Sequence, residues 1–305
     1  MASQPILHVS NLSKIFTDEV AVHPMNFSLD KGKCIALIGP NGAGKTTILR
    51  MLAGILQASS GDITYTHHEK DADFRHLVGY LPQYPAMYGW MSAYEFLIHC
   101  AKLSYIPLAT AKKRANELLN MVGIAEARDK KIHSFSGGMN QRLGIAQALI
   151  HRPTLLMLDE PVSALDPLGR REVLTLMEQL KTETTILFST HILADADEIS
   201  DELLLLHEGK LVESGTMEAL RKKYQTATIA VSFDGDLTYY ESLLKGMDGI
   251  HSSHIQRTKI HLSVEDIAQA KEVILKKSIK ENWPLTHFSI NQASLEDMFM
   301  KVVNR

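Results

Sequence analysis

GPNGAGKT, residues 39–46, decides the fold of this chain. It satisfies G-x-x-x-x-G-K-[ST], the pattern of a loop that cradles phosphate groups. Gly39, Gly42 and Gly44 admit backbone conformations that a Cβ would forbid, so successive N–H groups can point inward as an anion nest. A helix expected to begin near Gly44 adds the positive end of its dipole. Lys45 would set an ammonium against the β- and γ-phosphates, and Thr46 a hydroxyl against Mg2+. The flanks fit. CIALIG (34–39) is an unbroken apolar run, as in a strand buried on both faces. After the loop, Ile48, Leu49, Leu52, Ile55 and Leu56 recur at helical spacing. Strand, glycine loop and amphipathic helix predict an α/β fold.

Three further strand ends carry polar residues. LLMLDEP (155–161) predicts a buried strand ending in two acids. Without a cation that pairing is costly; beside a phosphate loop, Asp159 can hold Mg2+ and Glu160 can act as general base on water. LVGYLPQ (77–83) ends in Gln83 and TILFSTH (185–191) in His191. A parallel sheet gathers ligand-binding residues at the carboxyl ends of its strands. Gln83 can then reach Mg2+ or the attacking water, and His191 the γ-phosphate. Ser136, before Gly137 and Gly138, reads as the N-cap of an amphipathic helix with free backbone N–H groups, a second anion site.

With these motifs in place, the chain resembles the ATP-binding subunits of ABC transporters over residues 6–220. FSGGM (135–139) is similar to the family signature and SALD (163–166) to the loop after the second acid. Gln83 and His191 fall where the family has its glutamine and switch histidine. The resemblance implies a phosphate-loop ATPase domain with a mixed sheet and a helical subdomain, using ATP and Mg2+. It assigns the nucleotide to Gly39, Pro40, Asn41, Gly42, Ala43, Gly44, Lys45, Thr46 and Thr47, with Phe16 of NLSKIF stacking on adenine. It implies Thr46, Gln83 and Asp159 around the metal, and Glu160, His191 and Gln83 in hydrolysis. It also implies a head-to-tail dimer, homodimeric in the simplest case, in which Ser136, Gly137 and Gly138 meet the γ-phosphate held by the second copy. One chain has one phosphate loop and two anion sites, which a two-fold dimer would pair. The chain departs from the family at Phe135, where leucine is usual, at Met139, where glutamine is common, and at Phe16, where tyrosine is usual. Stacking needs only a π face.

Composition narrows the setting. The chain has 305 residues, enough for two domains, and a net charge of −3, with no basic stretch beyond Arg221–Lys223. That argues against a nucleic-acid partner. Its two cysteines, Cys34 and Cys100, form no disulfide framework and suit a reducing cytoplasm. No leader peptide is evident, and the longest apolar runs, such as LLLL at 203–206, are too short to span a bilayer. A transport role therefore calls for a separate permease, with this chain peripheral on the inner membrane face.

Along the chain, residues 1–65 predict strands and turns, and about 84–150 a helical subdomain. Within the latter, Ser92 and Glu95 form a capping box and Gly123 is a helix C′ residue. Pro167 starts a helix whose Val173, Leu176, Met177 and Leu180 share a face. YPAMYGWMS (84–92) concentrates Tyr84, Met87, Tyr88 and Trp90 in one loop. Either they fold under the loop or they form a contact surface, which in the family meets the permease. The ATPase domain is expected to occupy 1–224. Residues 225–305 alternate β-α-β-β-α-β, with strands at 228–233, 250–255, 259–264 and 286–290 and helices at 238–246 and 265–280. This predicts a small α+β domain of ferredoxin-like pattern, closed by a helix over 294–303 with Ser294 and Asp297 as a near capping box. ASLEDMFMKV resembles the ends of ATPases from two-component bacterial exporters. The sequence leaves two other functions open: a related ATPase acting on DNA or ribosomes, and a module that holds ATP without hydrolysing it.

Overall fold

The computed structural model describes residues 5–17, 19–66, 68, 73–163, 165–224, 228–291 and 295–303. The chain divides into two compact units, Met1–Met217 and Glu218–Arg305. The division falls inside a helix rather than after Tyr224. In the first unit, β1 (Pro5–Phe16), β2 (Glu19–Asp30) and β3 (Cys34–Ile38) precede α1 (Lys45–Leu52). Then come β4 (Ser60–Tyr65), β5 (Val78–Leu81), α2 (Ala93–Leu103), α3 (Leu108–Met121) and α4 (Gly137–Ala148). The unit ends with β6 (Leu155–Asp159), α5 (Pro167–Leu180), β7 (Thr185–Thr190), α6 (Leu193–Ile199), β8 (Glu202–His207) and β9 (Lys210–Thr216). Helix α7 (Met217–Tyr224) spans the division.

The central sheet has strand order β5-β6-β7-β3-β8-β9, parallel except for the antiparallel hairpin β8–β9. A second, antiparallel sheet has the order β2-β1-β4. Every residue of β3, β6 and β7 is buried, which explains their continuous apolar sequences. On α1, Ile48, Leu49, Met51 and Leu52 are buried in the core between these layers, each contributing roughly 1.5–3 kcal/mol. Cys34 is fully buried, and burial pushes its thiol up to about 12.

The helical segment is set by local signals. Ser92 accepts from the Glu95 N–H while the Glu95 carboxylate accepts from the Ser92 N–H, a complete capping box. Helix α3 ends at Gly123, with φ of 70°. The Ile124 N–H bonds to the Leu119 carbonyl and the Gly123 N–H to that of Asn120, the two bonds of a Schellman motif. Pro167 occupies the first turn of α5, whose Val173, Leu176, Met177 and Leu180 are buried. In the 84–92 loop, Tyr84, Tyr88 and Trp90 are exposed, Trp90 by 67%, so these aromatics are not folded beneath it.

The second unit contains β10 (Thr228–Phe233), α8 (Leu237–Lys245), β11 (Ile250–Gln256), β12 (Lys259–Val264), α9 (Ile267–Lys280), β13 (Leu285–Asn291) and α10 (Leu295–Val303). Its antiparallel sheet has the order β11-β12-β10-β13, the split βαβ arrangement. Ile229, Val231, Ile260, Leu262, Ala270 and Ile274 form its core. The near capping box at Ser294 and Asp297 lies outside the residues whose side chains are described.

Candidate nucleotide site

The parallel register aligns four strand ends. Ile38 pairs with Thr190, Asp159 with Ser189, and Leu81 with Leu158. The residues just beyond them, the glycine loop, Gln83, Glu160 and His191, therefore meet at one edge of the sheet. They line a cleft of about 790 Å³ together with Asn41, Gly42, Gly44, Lys45, Thr46 and Thr47. Two glycines are required for steric reasons. A Cβ on Gly39 would lie 2.5 Å from the Leu206 carbonyl oxygen, and Gly44, the N-cap of α1, has φ of 95°.

Lys45 is 6% exposed. Its Nζ donates to the carbonyls of Gly39 (2.8 Å) and Pro40 (3.1 Å) and lies 3.7 Å from Glu160 Oε1. Burial lowers its pKa, and the carboxylates of Glu160 and Asp159 oppose that fall. Asp159, 1% exposed, is satisfied by two hydroxyls: Thr46 donates to its Oδ1 at 3.1 Å and Ser189 at 2.7 Å. Ser189 also accepts from the Glu160 N–H at 2.9 Å. The Glu160 carboxylate is held at both oxygens. Gln83 Nε2 donates to Oε2 at 3.1 Å, and His191 Nδ1 lies 3.0 Å from Oε1. An ionised carboxylate only accepts, so this contact places a proton on Nδ1. Glu160 has φ of 48°, an uncommon value for a residue with a Cβ. Arg170 of α5 donates to Asp195 of α6 at 2.6 Å, tying together the segments that follow Glu160 and His191.

A second cleft, of about 750 Å³, lies on the helical segment and contains Ser136, Gly137, Gly138, Lys130 and Arg142. Ser136 caps α4, accepting from the Met139 N–H at 3.2 Å. Among the described residues, a Cβ on Gly137 would meet nothing within 4 Å, and one on Gly138 only Leu165 Cδ2 at 3.8 Å. Packing against the described residues therefore does not require either glycine.

The structure brings together Asn41, Gly42, Gly44, Lys45, Thr46, Thr47, Gln83, Glu160 and His191 in the first cleft, with Asp159 beneath them. It leaves Phe16 out of the lining. That ring is half exposed, with the Lys14 ammonium 5.0 Å from its centroid, while Glu19, Val20 and Ala21 line the cleft. Sequence reasoning missed Ser189. Its only mark was a hydroxyl inside an apolar strand two residues before His191.

Comparison with known proteins gives the chain a family. A family model described as ABC transporter matches residues 22–163, and one for the C-terminal domain of DrrA1-3-like ATP-binding proteins matches 215–303. The chain is 41% identical to the ABC transporter ATP-binding protein YxlF of Bacillus subtilis, over 98% of this chain and all of the relative. It is 32% identical to the bacitracin transport ATP-binding protein BcrA of Bacillus licheniformis, over 98% of this chain and 97% of that one. A solved ATP-binding subunit of an ABC transporter superposes with a TM-score of 0.65 at 30% identity, covering 72% of this chain and 93% of its own. With the phosphate loop, the paired acids and the signature helix on one scaffold, the chain belongs to the ATP-binding proteins of ABC transporters, a family of ATP-hydrolysing enzymes.

Proposed function

We propose that this subunit drives a separate membrane permease through ATP-dependent dimerisation, in the direction of export. The observation that carries the reading is the Glu160 carboxylate, held by Gln83 and His191 and set 3.7 Å from Lys45. In that position it can take a proton from water attacking the γ-phosphate. Lys45 and the loop N–H groups bind the phosphates. Gln83 and His191 fix the carboxylate's orientation, so little reorganisation remains at the moment of reaction.

The residues present fit Mg2+. Thr46 and Asp159 place a hydroxyl and a carboxylate oxygen 3.1 Å apart, hard ligands of the type this ion selects. The Gln83 amide engages Glu160 through nitrogen, which leaves its carbonyl oxygen as a third ligand. Bound there, Mg2+ would neutralise charge on the β- and γ-phosphate oxygens.

Dimerisation is supported by the second cleft. Gly137 and Gly138 are bare although the described residues would admit a Cβ at each, which suits an N-terminus that receives the γ-phosphate from another copy. Among the described residues no helix is long and apolar enough to cross a membrane, which supports a separate permease. The exposed Tyr84, Tyr88 and Trp90 offer it a docking surface beside Gln83. Export is supported by the C-terminal tail and by likeness to a protein named for bacitracin transport, over nearly the whole chain.

The test is the double variant Tyr88→Ala, Trp90→Ala. ATP binding by the isolated subunit should be unchanged, while permease co-purification and transport fall. Unchanged co-purification and transport would reject this docking surface.

A further inference from the structure

The turn between α2 and α3 carries an exposed apolar tip that the ATP site does not use. Leu103 is 68% exposed, Tyr105 96% and Leu108 48%. Helix α2 ends in a Schellman motif: the Ile106 N–H bonds to the Ala101 carbonyl and the Tyr105 N–H to that of Lys102. Its left-handed position is Tyr105, with φ of 57°. The same motif at the end of α3 uses Gly123. Glycine is the default there because a Cβ is strained in that conformation. Tyr105 is the one aromatic among the described non-glycine residues of positive φ. Its ring is almost fully in solvent, so it does not recover the cost by packing in this chain.

Along the chain, the charge on either side of this turn has one sign. Between Glu95 and Glu117 there is no acidic residue, whereas Lys102, Lys112, Lys113 and Arg114 fall in that stretch. Lys102 adjoins Leu103, and Lys112 lies one helical turn beyond Leu108. Both lysines are exposed. Lys113 lies 3.9 Å from Glu117, and Arg114 is buried against the Leu149 carbonyl. A basic tip on a chain of net charge −3 is a local feature.

We propose that this tip inserts into the interfacial region of an anionic lipid bilayer. Leu103 and Leu108 would enter the boundary of the acyl chains. Tyr105 would sit at headgroup level, where amphipathic aromatic rings concentrate. Lys102 and Lys112 would face anionic headgroups, each contributing a roughly five-fold change in partition. Positive charge beside exposed apolar side chains is the complement of an anionic bilayer surface, and the acid that follows the tip in sequence, Glu117, is paired with Lys113 and Arg114. The placement of the subunit beside a membrane follows the function proposed above, but lipid binding is a separate property and is measured with neither permease nor ATP.

The full chain should co-sediment with vesicles of phosphatidylcholine and phosphatidylglycerol and much less with phosphatidylcholine alone. Tyr105→Gly removes the ring while relaxing the backbone, so the fold is retained. Combined with Leu103→Gln it should reduce partition roughly ten-fold or more and leave ATPase activity in solution unchanged. Lys102→Gln with Lys112→Gln should remove the preference for anionic vesicles. Absence of wild-type partition, or equal partition of wild type and the Tyr105→Gly, Leu103→Gln double variant, would overturn the proposal. So would unchanged vesicle binding with lost permease co-purification, which would assign the tip to a protein partner.

Discussion

Replacing Glu160 by glutamine exchanges one carboxylate oxygen for an NH2 group and alters little else. Oε1 lies beside two donors, His191 Nδ1 at 3.0 Å and the Lys45 ammonium at 3.7 Å. The amide oxygen of the substituted side chain must therefore take that side. Its NH2 then meets Gln83, whose own amide can turn to present its oxygen, so no hydrogen bond is lost. What disappears is a charge and a base. One unit charge at 3.7 Å corresponds to about 4 kcal/mol of gross attraction for Lys45 at an effective dielectric near 20. Relief of Glu160 desolvation offsets part of it, but the Lys45 ammonium is left buried without this partner, so the free protein should be roughly 3–5 kcal/mol less stable. A bound triphosphate replaces the missing countercharge and no longer faces a carboxylate. The thermal shift on adding ATP should consequently be larger in Glu160→Gln than in wild type. Loss of a general base lowers the chemical step roughly 10²- to 10⁴-fold, about 3–5 kcal/mol in activation free energy. Single-turnover phosphate release and melting with and without ATP measure both effects. Phosphate release within about ten-fold of wild type would refute Glu160 as the base. A joint fall in turnover and in ATP-induced stabilisation would make it a binding residue instead.

Other outcomes follow from the same geometry. Gly137→Glu places a Cβ where no described residue lies within 4 Å and should leave melting and monomer ATP binding intact while abolishing nucleotide-dependent dimers in size-exclusion chromatography. Chelation by EDTA should stop hydrolysis without lowering the melting temperature of the nucleotide-free protein, because Thr46 and Ser189 already satisfy Asp159. Ser189→Ala should cost roughly 1–3 kcal/mol in denaturant unfolding, since it strips a donor from buried Asp159 and an acceptor from the Glu160 N–H; it should also slow turnover. Burial raises the Cys34 thiol to about 12 and the Cys100 thiol to about 11. At pH 8 a thiol reagent should therefore meet thiolate fractions on the order of 10⁻³ or less and label neither until the protein is denatured. As pH rises toward those values the buried thiols begin to ionise, so native labelling should increase with alkalinity and not with acidity.

Much of this structure was legible because its signals are local. A strand buried on both faces must be apolar throughout, so CIALI, LLMLD and TILF announced a parallel sheet, and their polar terminal residues announced its working edge. Ser92 with Glu95, Gly123 and Pro167 each act within one helical turn, and each marks the predicted end. The split βαβ order of the second unit followed from element succession, because crossover handedness leaves few alternatives. What local signals leave open depends on distance in space. Phe16 reads as an adenine platform; where its half-exposed ring lies depends on how β1 leaves the β2 hairpin, and Glu19, Val20 and Ala21 line the cleft. The expected boundary after residue 224 follows the end of α7, while the contacts divide the chain after Met217, at the start of that helix.

Ser189 illustrates why an adjacent Asp and Glu can serve one site. Successive side chains of a strand point to opposite faces, so a continued β6 would aim Asp159 and Glu160 apart. The chain avoids this by ending β6 at Asp159 and placing Glu160 in a left-handed conformation, φ 48°. That conformation is uncommon for a residue with a Cβ, and local sequence does not favour it. It is held from the next strand, where the Ser189 hydroxyl accepts the Glu160 N–H and donates to Asp159 Oδ1. One hydroxyl thereby fixes the backbone of one acid and the side chain of the other. The register Asp159–Ser189 between β6 and β7 makes this possible, and a shift of one residue would turn Ser189 to the opposite face. Sheet register and site geometry are thus a single constraint, and the strain at Glu160 persists because the neighbouring strand over-determines it.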